Sequence, residues 1–394
     1  MYNFDQIIDR HGTGCAKFGE LGELFGSTEL TPLWIADMDF AVCPEITQAL
    51  RRRIDHPIYG YAVAPDSYWE SIRTWLSERH GFAIDREELA FVPGVVKGIG
   101  YAVNFFTRPG DKIIIQPPVY HPFRRVIEGN KRQVLANPLI FNESTGYEMN
   151  LSELRRLCRD ERPAMMILCN PHNPIGIQWS REVLAEVGEI CHEYGVVVVS
   201  DEIHGDLVLH HKPHYPFAAC SDHCAQMAVT FGAPSKTFNI PGLVSSWCVI
   251  KNPKLRRDFY DWLEINEFST PTFVSTIGTE AAYRNGRQWL DEAMAYIEKN
   301  IDLVRDYLRD NLPQIGMVEP QASFLVWMDF RRLGLSHEQL VDLVVNHAHL
   351  ALNDGEMFGA EGHGFMRVNV ATPSSCLLDA LNCLKTAVAE IENN

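Results

Sequence analysis

The sequence predicts an α/β fold in which helices cover both faces of a largely parallel sheet. Two observations predict it. From about residue 88, short and continuously apolar segments alternate with amphipathic ones, and strands of parallel sheets are apolar throughout because both of their faces are covered. The length of 394 residues also suggests about two to three domains rather than one small core.

Six apolar segments are the predicted strands of this sheet. The amphipathic segments between them, near residues 97–107, 120–129, 151–160 and 180–194, are predicted to be covering helices. In such a sheet, ligands bind beyond the carboxyl ends of the strands. The predicted strands are ELAFV (88–92), KIIIQ (112–116), MMILC (165–169), VVVVS (196–200), MAVTF (227–231) and SSWCVI (245–250).

A smaller α+β domain is predicted after about residue 285, where the pattern changes. A long helix over 287–312 ends before Pro313, because proline cannot continue a helix. The elements expected after it are a strand near 323–330, a helix near 337–347, a strand over 365–371 and a closing helix over 375–391.

The first 45 residues do not fit the alternating pattern, and we expect them to pack beside the smaller domain. The predicted limits are therefore 46–286 for the large domain, and 1–45 together with 287–394 for the small one.

Composition and charge exclude several classes of function. Lys and Arg number 35 against 51 Asp and Glu, a formal net charge of −16, which argues against a nucleic-acid partner because phosphate binding needs clustered cations. Ten scattered cysteines form no disulfide framework and favour a reducing compartment, the cytoplasm. Cys220 and Cys224 lie near histidines without a zinc-binding spacing, so no metal site is expected. The acidic start and the lack of long apolar runs predict neither signal peptide nor membrane span.

Chemically distinctive residues follow four predicted strands. Tyr120 follows the second strand, the loop NPHNPIG (170–176) the third, Asp201 the fourth, and Lys236 lies in the loop after the fifth. Alone, each has an ordinary interpretation: most lysines are solvated, and a strand-end acid often caps a helix. Together they place an amine, a carboxylate, an amide and an aromatic ring on one rim.

This combination is what pyridoxal phosphate requires. The cofactor is an aldehyde that needs a lysine to hold it as a Schiff base, a carboxylate to keep its ring nitrogen protonated, and an anion site for its phosphate. An aromatic side chain can stack on its ring. The turn GVVKG (94–98), between a strand and a helix, offers helix-start N–H groups for the phosphate.

Motifs along nearly the whole chain resemble fold type I pyridoxal-phosphate enzymes of the aminotransferase class I/II superfamily. The resemblance implies a mostly parallel seven-stranded sheet, a smaller α+β domain and bound pyridoxal 5′-phosphate. ADMDF, SDEIHGDL and AAYRNGRQWLD are most similar to the cystathionine β-lyase and maltose-regulon modulator branch. The motifs are ADMDF (36–40), YGY (59–61), PPVYHPF (117–123), NPHNPIG (170–176), SDEIHGDL (200–207), PSKTFNIPGL (234–243), AAYRNGRQWLD (281–291) and RVNVATP (367–373).

The resemblance implies a role for each catalytic residue. Lys236 matches the Schiff-base lysine, whose freed amine takes the Cα proton of the substrate. Asp201 matches the partner of the pyridine nitrogen, and Tyr120 matches the aromatic residue that stacks on the cofactor. Asn173 matches the residue that hydrogen-bonds the phenolic oxygen of the cofactor and adjoins the substrate. Arg367 matches the residue that binds the substrate α-carboxylate, for which a planar fork is favoured.

Further residues are implied around the cofactor phosphate and ring. Tyr61 matches a tyrosine that reaches the phosphate in the neighbouring subunit, which implies a homodimer with a shared active site. The backbone of Val95 and Val96, with Ser235, would complete the phosphate site. His204 either contacts the phenolic oxygen or is a packed histidine. The chain departs from many relatives in having Val244 where they carry an arginine and Ala233 where a serine is frequent.

Three functions are compatible with these motifs. The leading hypothesis is a carbon–sulfur β-lyase that cleaves L-cysteine thioethers such as cystathionine to pyruvate, ammonia and a thiol. An aminotransferase of an L-amino acid would use the same residues, because the two reactions differ in the leaving group and in where a proton returns. The third hypothesis, from another class, is a regulatory interaction protein that retains the cofactor pocket.

Overall fold

The computed structural model describes residues 2–142 and 146–392. The α-helices of these residues are α1 (Ala16–Gly19), α2 (Leu21–Phe25), α3 (Pro44–Ile54), α4 (Asp66–His80), α5 (Val95–Phe106), α6 (Pro122–Gly129), α7 (Leu151–Glu161), α8 (Arg181–Tyr194), α9 (Asp222–Met227), α10 (Pro234–Thr237), α11 (Pro253–Ile265), α12 (Phe273–Asn285), α13 (Arg287–Asn311), α14 (His337–Asp342) and α15 (Ser374–Glu392).

The strands of the same residues form four sheets. They are β1 (Thr31–Pro32), β2 (Leu89–Val92), β3 (Lys112–Ile115), β4 (Gln133–Ala136), β5 (Ile140–Asn142), β6 (Gly146–Glu148), β7 (Met165–Cys169), β8 (Val197–Asp201), β9 (Ala228–Gly232), β10 (Ser246–Val249), β11 (Gly316–Val318), β12 (Leu325–Asp329), β13 (Leu350–Ala351), β14 (Asn353–Asp354) and β15 (Phe365–Asn369).

The central sheet has seven strands in the order β2-β10-β9-β8-β7-β3-β4. The pairs from β9 to β4 are parallel, and β10 runs antiparallel to both β2 and β9. The predicted α/β class and the seven-stranded sheet are therefore confirmed, with a mixed sheet. The six strands predicted from apolar segments are all present, shifted by at most one residue at an end.

Helix α5 packs closely on the sheet and thereby brings its N-terminus to the rim. A Cβ atom at Gly98 would lie 2.6 Å from the ring of Phe231 on β9, so only glycine permits this approach. Helix α5 begins directly after β2, and its first residues therefore lie at the strand ends where β8 finishes in Asp201.

A second sheet, in the order β11-β12-β15-β14, is antiparallel throughout. Its strand β15 lies between β12 and β14 and carries Arg367. The helix predicted near 337–347 is present: α14 spans His337–Asp342 and continues directly as a π-helix over Leu343–His347. The long helix predicted over 287–312 is present as α13.

The N-terminal segment lies against the second half of the chain. Strand β1 pairs with β13 in parallel, and the N–H of Asp39 donates to the carbonyl of Ala371 at 2.9 Å. The fully buried Lys17 binds the Asp39 carboxylate at 2.6 Å. The domain limits, 46–286 against 1–45 with 287–394, stay a prediction. Within residues 2–142 and 146–392, we find no helix with the length and hydropathy of a membrane span.

Candidate active site

A cavity of about 270 Å³ lies at the carboxyl ends of the central strands. A larger cavity of about 470 Å³ elsewhere contains none of the predicted site residues. The structure thus brings together eight residues that the sequence singled out, from five separate parts of the chain. They are Val95, Val96, Tyr120, Asn173, Asp201, His204, Ser235 and Lys236.

Lys236 reaches the cavity from α10, a single turn that follows β9. Its Nζ donates a hydrogen bond to the carbonyl oxygen of Ala36. Burial lowers the pKa of Lys236 to about 8, although the carboxylates of Asp37 and Asp201 oppose the change. An amine with this pKa is partly neutral near neutral pH, and a neutral amine can act as a nucleophile or as a base.

Asp201 is the last residue of β8 and is only 4% exposed. Its Oδ1 accepts a hydrogen bond from the backbone N–H of Ile203 at 3.1 Å, and among the described residues its Oδ2 has no donor. Burial raises the pKa of Asp201 to about 7, with a further contribution from the Glu202 charge and an opposing one from Lys236. A cationic N–H donor placed in the cavity would keep this carboxylate ionised.

A second buried carboxylate lies beneath α10 and is fully partnered. Asp206 accepts hydrogen bonds at Oδ1 from Trp75 and His80 and at Oδ2 from Thr237, each at 2.8 Å. Burial alone would raise the pKa of Asp206. The hydrogen bond and charge of His80, the charge of Arg79 and the Thr237 hydroxyl outweigh that effect and lower it to about 2. Because Thr237 follows Lys236, this network anchors the turn that presents the lysine.

Arg367 approaches the cavity from β15. Its Nη1 donates to Oδ1 of Asn173 at 2.9 Å, and its Nη2 donates to the Trp34 carbonyl and to Oδ1 of Asn353. The buried Nε has no hydrogen-bond partner among the described residues, and the ring of Phe358 lies 4.9 Å from the guanidinium carbon. Burial lowers the pKa of Arg367 to about 10, so the group stays cationic at neutral pH.

Tyr120 and His204 line the cavity as uncharged side chains. Burial raises the pKa of Tyr120, whose backbone N–H donates to the Asn173 carbonyl at 3.0 Å. Burial lowers the pKa of His204 to about 3, and its Nδ1 lies 3.1 Å from the Ser323 hydroxyl. His204 is therefore packed against Ser323 and also lines the cavity, so both interpretations of this histidine stay open.

The start of α5 provides an anion site on the same cavity wall. Gly94, with a φ of 117°, precedes the helix, and Val95, Val96 and Lys97 line the cavity. The first N–H groups of a helix have no acceptor within it and favour a negative ligand. Ser235 lines the same cavity, with its hydroxyl donating to the Ser245 carbonyl at 3.4 Å.

Two predicted site residues do not line this cavity: Arg367, which contacts the lining residue Asn173, and Tyr61. Tyr61 is fully exposed in a segment of exposed apolar side chains that includes Ile58, Tyr59 and Val63. A single chain does not test whether Tyr61 reaches a neighbouring subunit, so that role stays a prediction.

The sequence reasoning missed several wall residues. Ala36, Cys169, Ile203 and Ser246 line the cavity, and small or apolar residues of this kind carry no chemical signal of their own. Asn353, on the neighbouring strand β14, and the carbonyl of the distant Trp34 were missed because only the folded chain brings them to Arg367. The motif ADMDF (36–40) was the one sequence signal that pointed to the N-terminal segment.

The donor set fits pyridoxal phosphate. An amine of lowered pKa suits the aldehyde, a buried carboxylate with an open oxygen suits the pyridine nitrogen, and a helix N-terminus suits the phosphate. Tyr120 offers the ring that can stack on the heterocycle.

Comparison with known proteins gives three concordant results. Residues 28–381 match the family Aminotransferase class I and II. The chain is 42% identical to cystathionine beta-lyase PatB of Bacillus subtilis (strain 168), covering 98% of this chain and all of the relative. It is 31% identical to protein MalY of Escherichia coli (strain K12), and the match covers 99% of this chain and 100% of MalY. The structure of cystalysin from Treponema denticola, which contains pyridoxal 5′-phosphate, superposes on this chain with a TM-score of 0.95 at 31% identity. The superposition covers 99% of this chain and 100% of cystalysin.

Proposed function

The chain belongs to the aminotransferase class I and II family, and on that premise we propose a pyridoxal-phosphate-dependent carbon–sulfur β-lyase. It cleaves L-cysteine thioethers such as cystathionine to pyruvate, ammonia and a thiol. The observation that carries the proposal is the shared cavity of Lys236 and Asp201, an amine and a carboxylate whose pKa values both move toward neutrality. Groups tuned in this way are typical of catalytic sites. The similarity to PatB over the full length favours the lyase reaction.

The residues of the cavity divide the work of holding the cofactor. Lys236 would hold its aldehyde carbon, and Asp201 would bind its ring nitrogen through Oδ2, the oxygen without a donor in the described part of the chain. The N–H groups of Val95 and Val96, with Ser235, bind its phosphate. Tyr120 would offer its ring for stacking on the heterocycle, and Asn173 would hydrogen-bond the phenolic oxygen. When bound, pyridoxal phosphate withdraws electrons from the substrate α-carbon and so makes its proton acidic.

Lys236 would move the Cα proton of the substrate, with its free amine as the base. The same burial that lowers the pKa of this amine to about 8 leaves a neutral fraction that can take the Cα proton at Nζ. The carbonyl of Ala36, which accepts the Nζ hydrogen bond, orients the amine toward the cavity. Thr237 and Asp206 hold the turn below it at 2.8 Å.

Arg367 binds the α-carboxylate of the substrate. Its Nη atoms are oriented by Asn173, Trp34 and Asn353, while its buried Nε remains free to donate. A guanidinium held on both sides presents a preorganised fork, which favours bidentate binding of a carboxylate. His204, neutral because burial lowers its pKa to about 3, adds no charge to the cavity.

The protein works as a homodimer in the cytoplasm. The exposed apolar side chains of Ile58, Tyr59, Tyr61 and Val63 support a partner surface, and ten free cysteines support a reducing compartment. Mixing Lys236→Ala with Tyr61→Ala protein tests the shared site, because a hybrid dimer has one site with both residues intact. Activity above that of either parent supports the shared site; activity equal to the mean of the two contradicts it.

The reaction itself is tested with L-cystathionine and no added keto acid. Sustained release of pyruvate and thiol is the expected result, with Lys236→Ala as the inactive control. A single turnover that resumes only when 2-oxoglutarate is added would instead show the aminotransferase, which the family membership also permits. Absence of both activities in cofactor-loaded protein would favour the regulatory hypothesis. Binding of a transcription activator that survives Lys236→Ala would support that hypothesis directly.

A further inference from the structure

Three side chains of the kind that coordinate metal ions converge at one end of the second sheet, between α14 and the loop that joins β14 to β15. None of them lines the cavity described above. His337, Glu356 and His363 each offer one nitrogen or oxygen atom, and these atoms all lie within 4.8 Å of one another. Nδ1 of His337 lies 3.3 Å from Oε1 of Glu356, and Nδ1 of His363 lies 2.6 Å from the same oxygen. Ligands bonded to one zinc ion at about 2.0–2.1 Å have similar mutual separations.

His337 is oriented for coordination by a second carboxylate. Its Nε2 lies 3.3 Å from Oδ2 of Asp354, so the ring can donate from Nε2 and present a lone pair at Nδ1. Nδ1 is buried and has no hydrogen-bond partner among the described residues, although it faces Glu356. A carboxylate that fixes a histidine through its other ring nitrogen is the usual outer partner of a metal ligand.

The backbone holds the ligand-bearing turns together tightly. A Cβ atom at Gly355 would lie 2.1 Å from the carbonyl oxygen of Gly362, and one at Gly362 would lie 2.0 Å from that of Gly355. Only glycine at both positions permits this contact, which places Glu356 and His363 side by side. The other oxygen of Asp354 caps the turn by accepting from the Glu356 N–H at 3.0 Å.

We propose that His337, Glu356 and His363 form a binding site for a divalent transition-metal ion of the zinc class. Two imidazoles and one carboxylate match the preference of zinc, and water can complete a four-coordinate shell. The hydrogen bond between His363 and Glu356 would be replaced by two bonds to the ion. His337 and His363 are too far apart in the sequence to form a metal-binding spacing motif, so the sequence did not predict the site.

The ion would clamp a segment that adjoins Arg367. Glu356 and His363 flank the turn that carries Phe358, whose ring lies against the Arg367 guanidinium. Asp354 pairs with Met366 on β15, directly beside Arg367. The ion would also join this segment to the first residue of α14, so its clearest effect is slower local opening of residues 355–364.

Calorimetric titration of Zn²⁺ into cofactor-loaded protein tests the proposal, in a Cys383→Ser background because that thiol is exposed. We expect one ion per chain. His363→Ala and Glu356→Gln should weaken binding by more than about 100-fold, and Asp354→Asn by about 10–100-fold. His347→Ala is the matched control, since His347 is an exposed histidine beside Asp342 and Glu390 and does not belong to the three-ligand cluster. The control should bind as the parent does.

Hydrogen exchange gives a second readout that does not depend on activity. Zn²⁺ should slow exchange in residues 355–364 of the parent and of His347→Ala, but not of His363→Ala. Co²⁺ should give visible d–d bands with the same dependence on the three ligands. Unchanged Zn²⁺ affinity in both His363→Ala and Glu356→Gln, or equal loss in His347→Ala, or no binding by the parent, would overturn the site.

Discussion

Two buried aspartates near one strand end show opposite chemistry. Asp201 faces the cavity with one hydrogen bond from a backbone N–H, and burial raises its pKa to about 7. Asp206, on the turn that follows, accepts hydrogen bonds on both oxygens, and its pKa is lowered to about 2. Both carboxylates are removed from water, so the difference comes from their partners.

The comparison teaches how to separate a binding group from a structural one. A buried charge that the fold has already neutralised stabilises the fold, and its removal leaves partners unsatisfied. A buried charge with few partners destabilises the ligand-free protein and is expected to recover that free energy when a ligand binds. On this criterion Asp201, Lys236 and the Nε of Arg367 are binding groups, whereas Asp206 is a support.

The largest effect is expected at Lys236. Lys236→Ala removes both the covalent attachment of the cofactor and the base, so turnover should fall by about 10⁴-fold or more. The variant should also lose the cofactor adduct that borohydride fixes in the parent. Mass spectrometry after reduction checks this, and a retained adduct would place the attachment at another amine.

Asp201→Ala should come next and should reduce turnover by roughly 10²–10³-fold. The ring nitrogen would lose the partner that keeps it protonated, while the fold has little to lose because the Asp201 carboxylate accepts a single hydrogen bond from the described residues. Steady-state kinetics on fully loaded protein provide the measurement. Turnover close to that of the parent would remove Asp201 from this role.

The ligand-free protein should reveal the free-energy cost of Asp201 as a function of pH. The folded protein holds the Asp201 proton up to about pH 7, whereas the unfolded chain loses it near its ordinary value of 3.8. The parent therefore loses stability as pH rises through this window, relative to Asp201→Asn. The difference should reach about 4 kcal/mol above pH 7. Urea unfolding of both apo proteins at several pH values measures it, and a constant difference would contradict the raised pKa.

Asp206→Asn should show the opposite sign and a somewhat smaller effect. Removing the charge from a partnered site should lower the free energy of unfolding by about 3 kcal/mol at neutral pH. Because the folded pKa is about 2, this deficit should shrink as the pH falls from about 4 toward 2. The same urea series supplies the data. If Asp206→Asn were as stable as the parent, the two aspartates would not differ in the way described here.

Most of the central sheet could be predicted from the sequence because its strands are buried on both faces. All five residues of β7 are buried, and so are those of β9. The edge strand β4 was missed because its residues are exposed or half-buried, which leaves no apolar run. Helix α12 was missed for a different reason: many of its buried residues are small or polar, such as Gly278, Thr279 and Ala282, so it lacks a one-sided apolar stripe.

The chemistry-bearing side chains of the site could be predicted because strand ends meet on one rim. Their partners could not, since main-chain groups have no residue-specific signal. The carbonyl of Ala36 contacts Lys236, 200 residues away in the sequence. The carbonyl of Trp34 contacts Arg367, 333 residues away. The role of Asp206 could not be predicted either, because in the sequence it resembles an ordinary loop carboxylate. Its partners Trp75 and His80 lie more than 100 residues away in the sequence and reach it only in the folded chain.

The stretch from Trp34 to Ala36 touches both charged side chains that would grip an amino-acid ligand. The carbonyl oxygen of Ala36 accepts a hydrogen bond from the Lys236 amine, and that of Trp34 accepts one from the Arg367 guanidinium. These two contacts set the distance between the amine and the guanidinium. Directed evolution of this protein toward longer or bulkier amino acids should therefore randomise this stretch first. Substitutions in this stretch would change the distance between Lys236 and Arg367 and would leave the charges of both side chains intact.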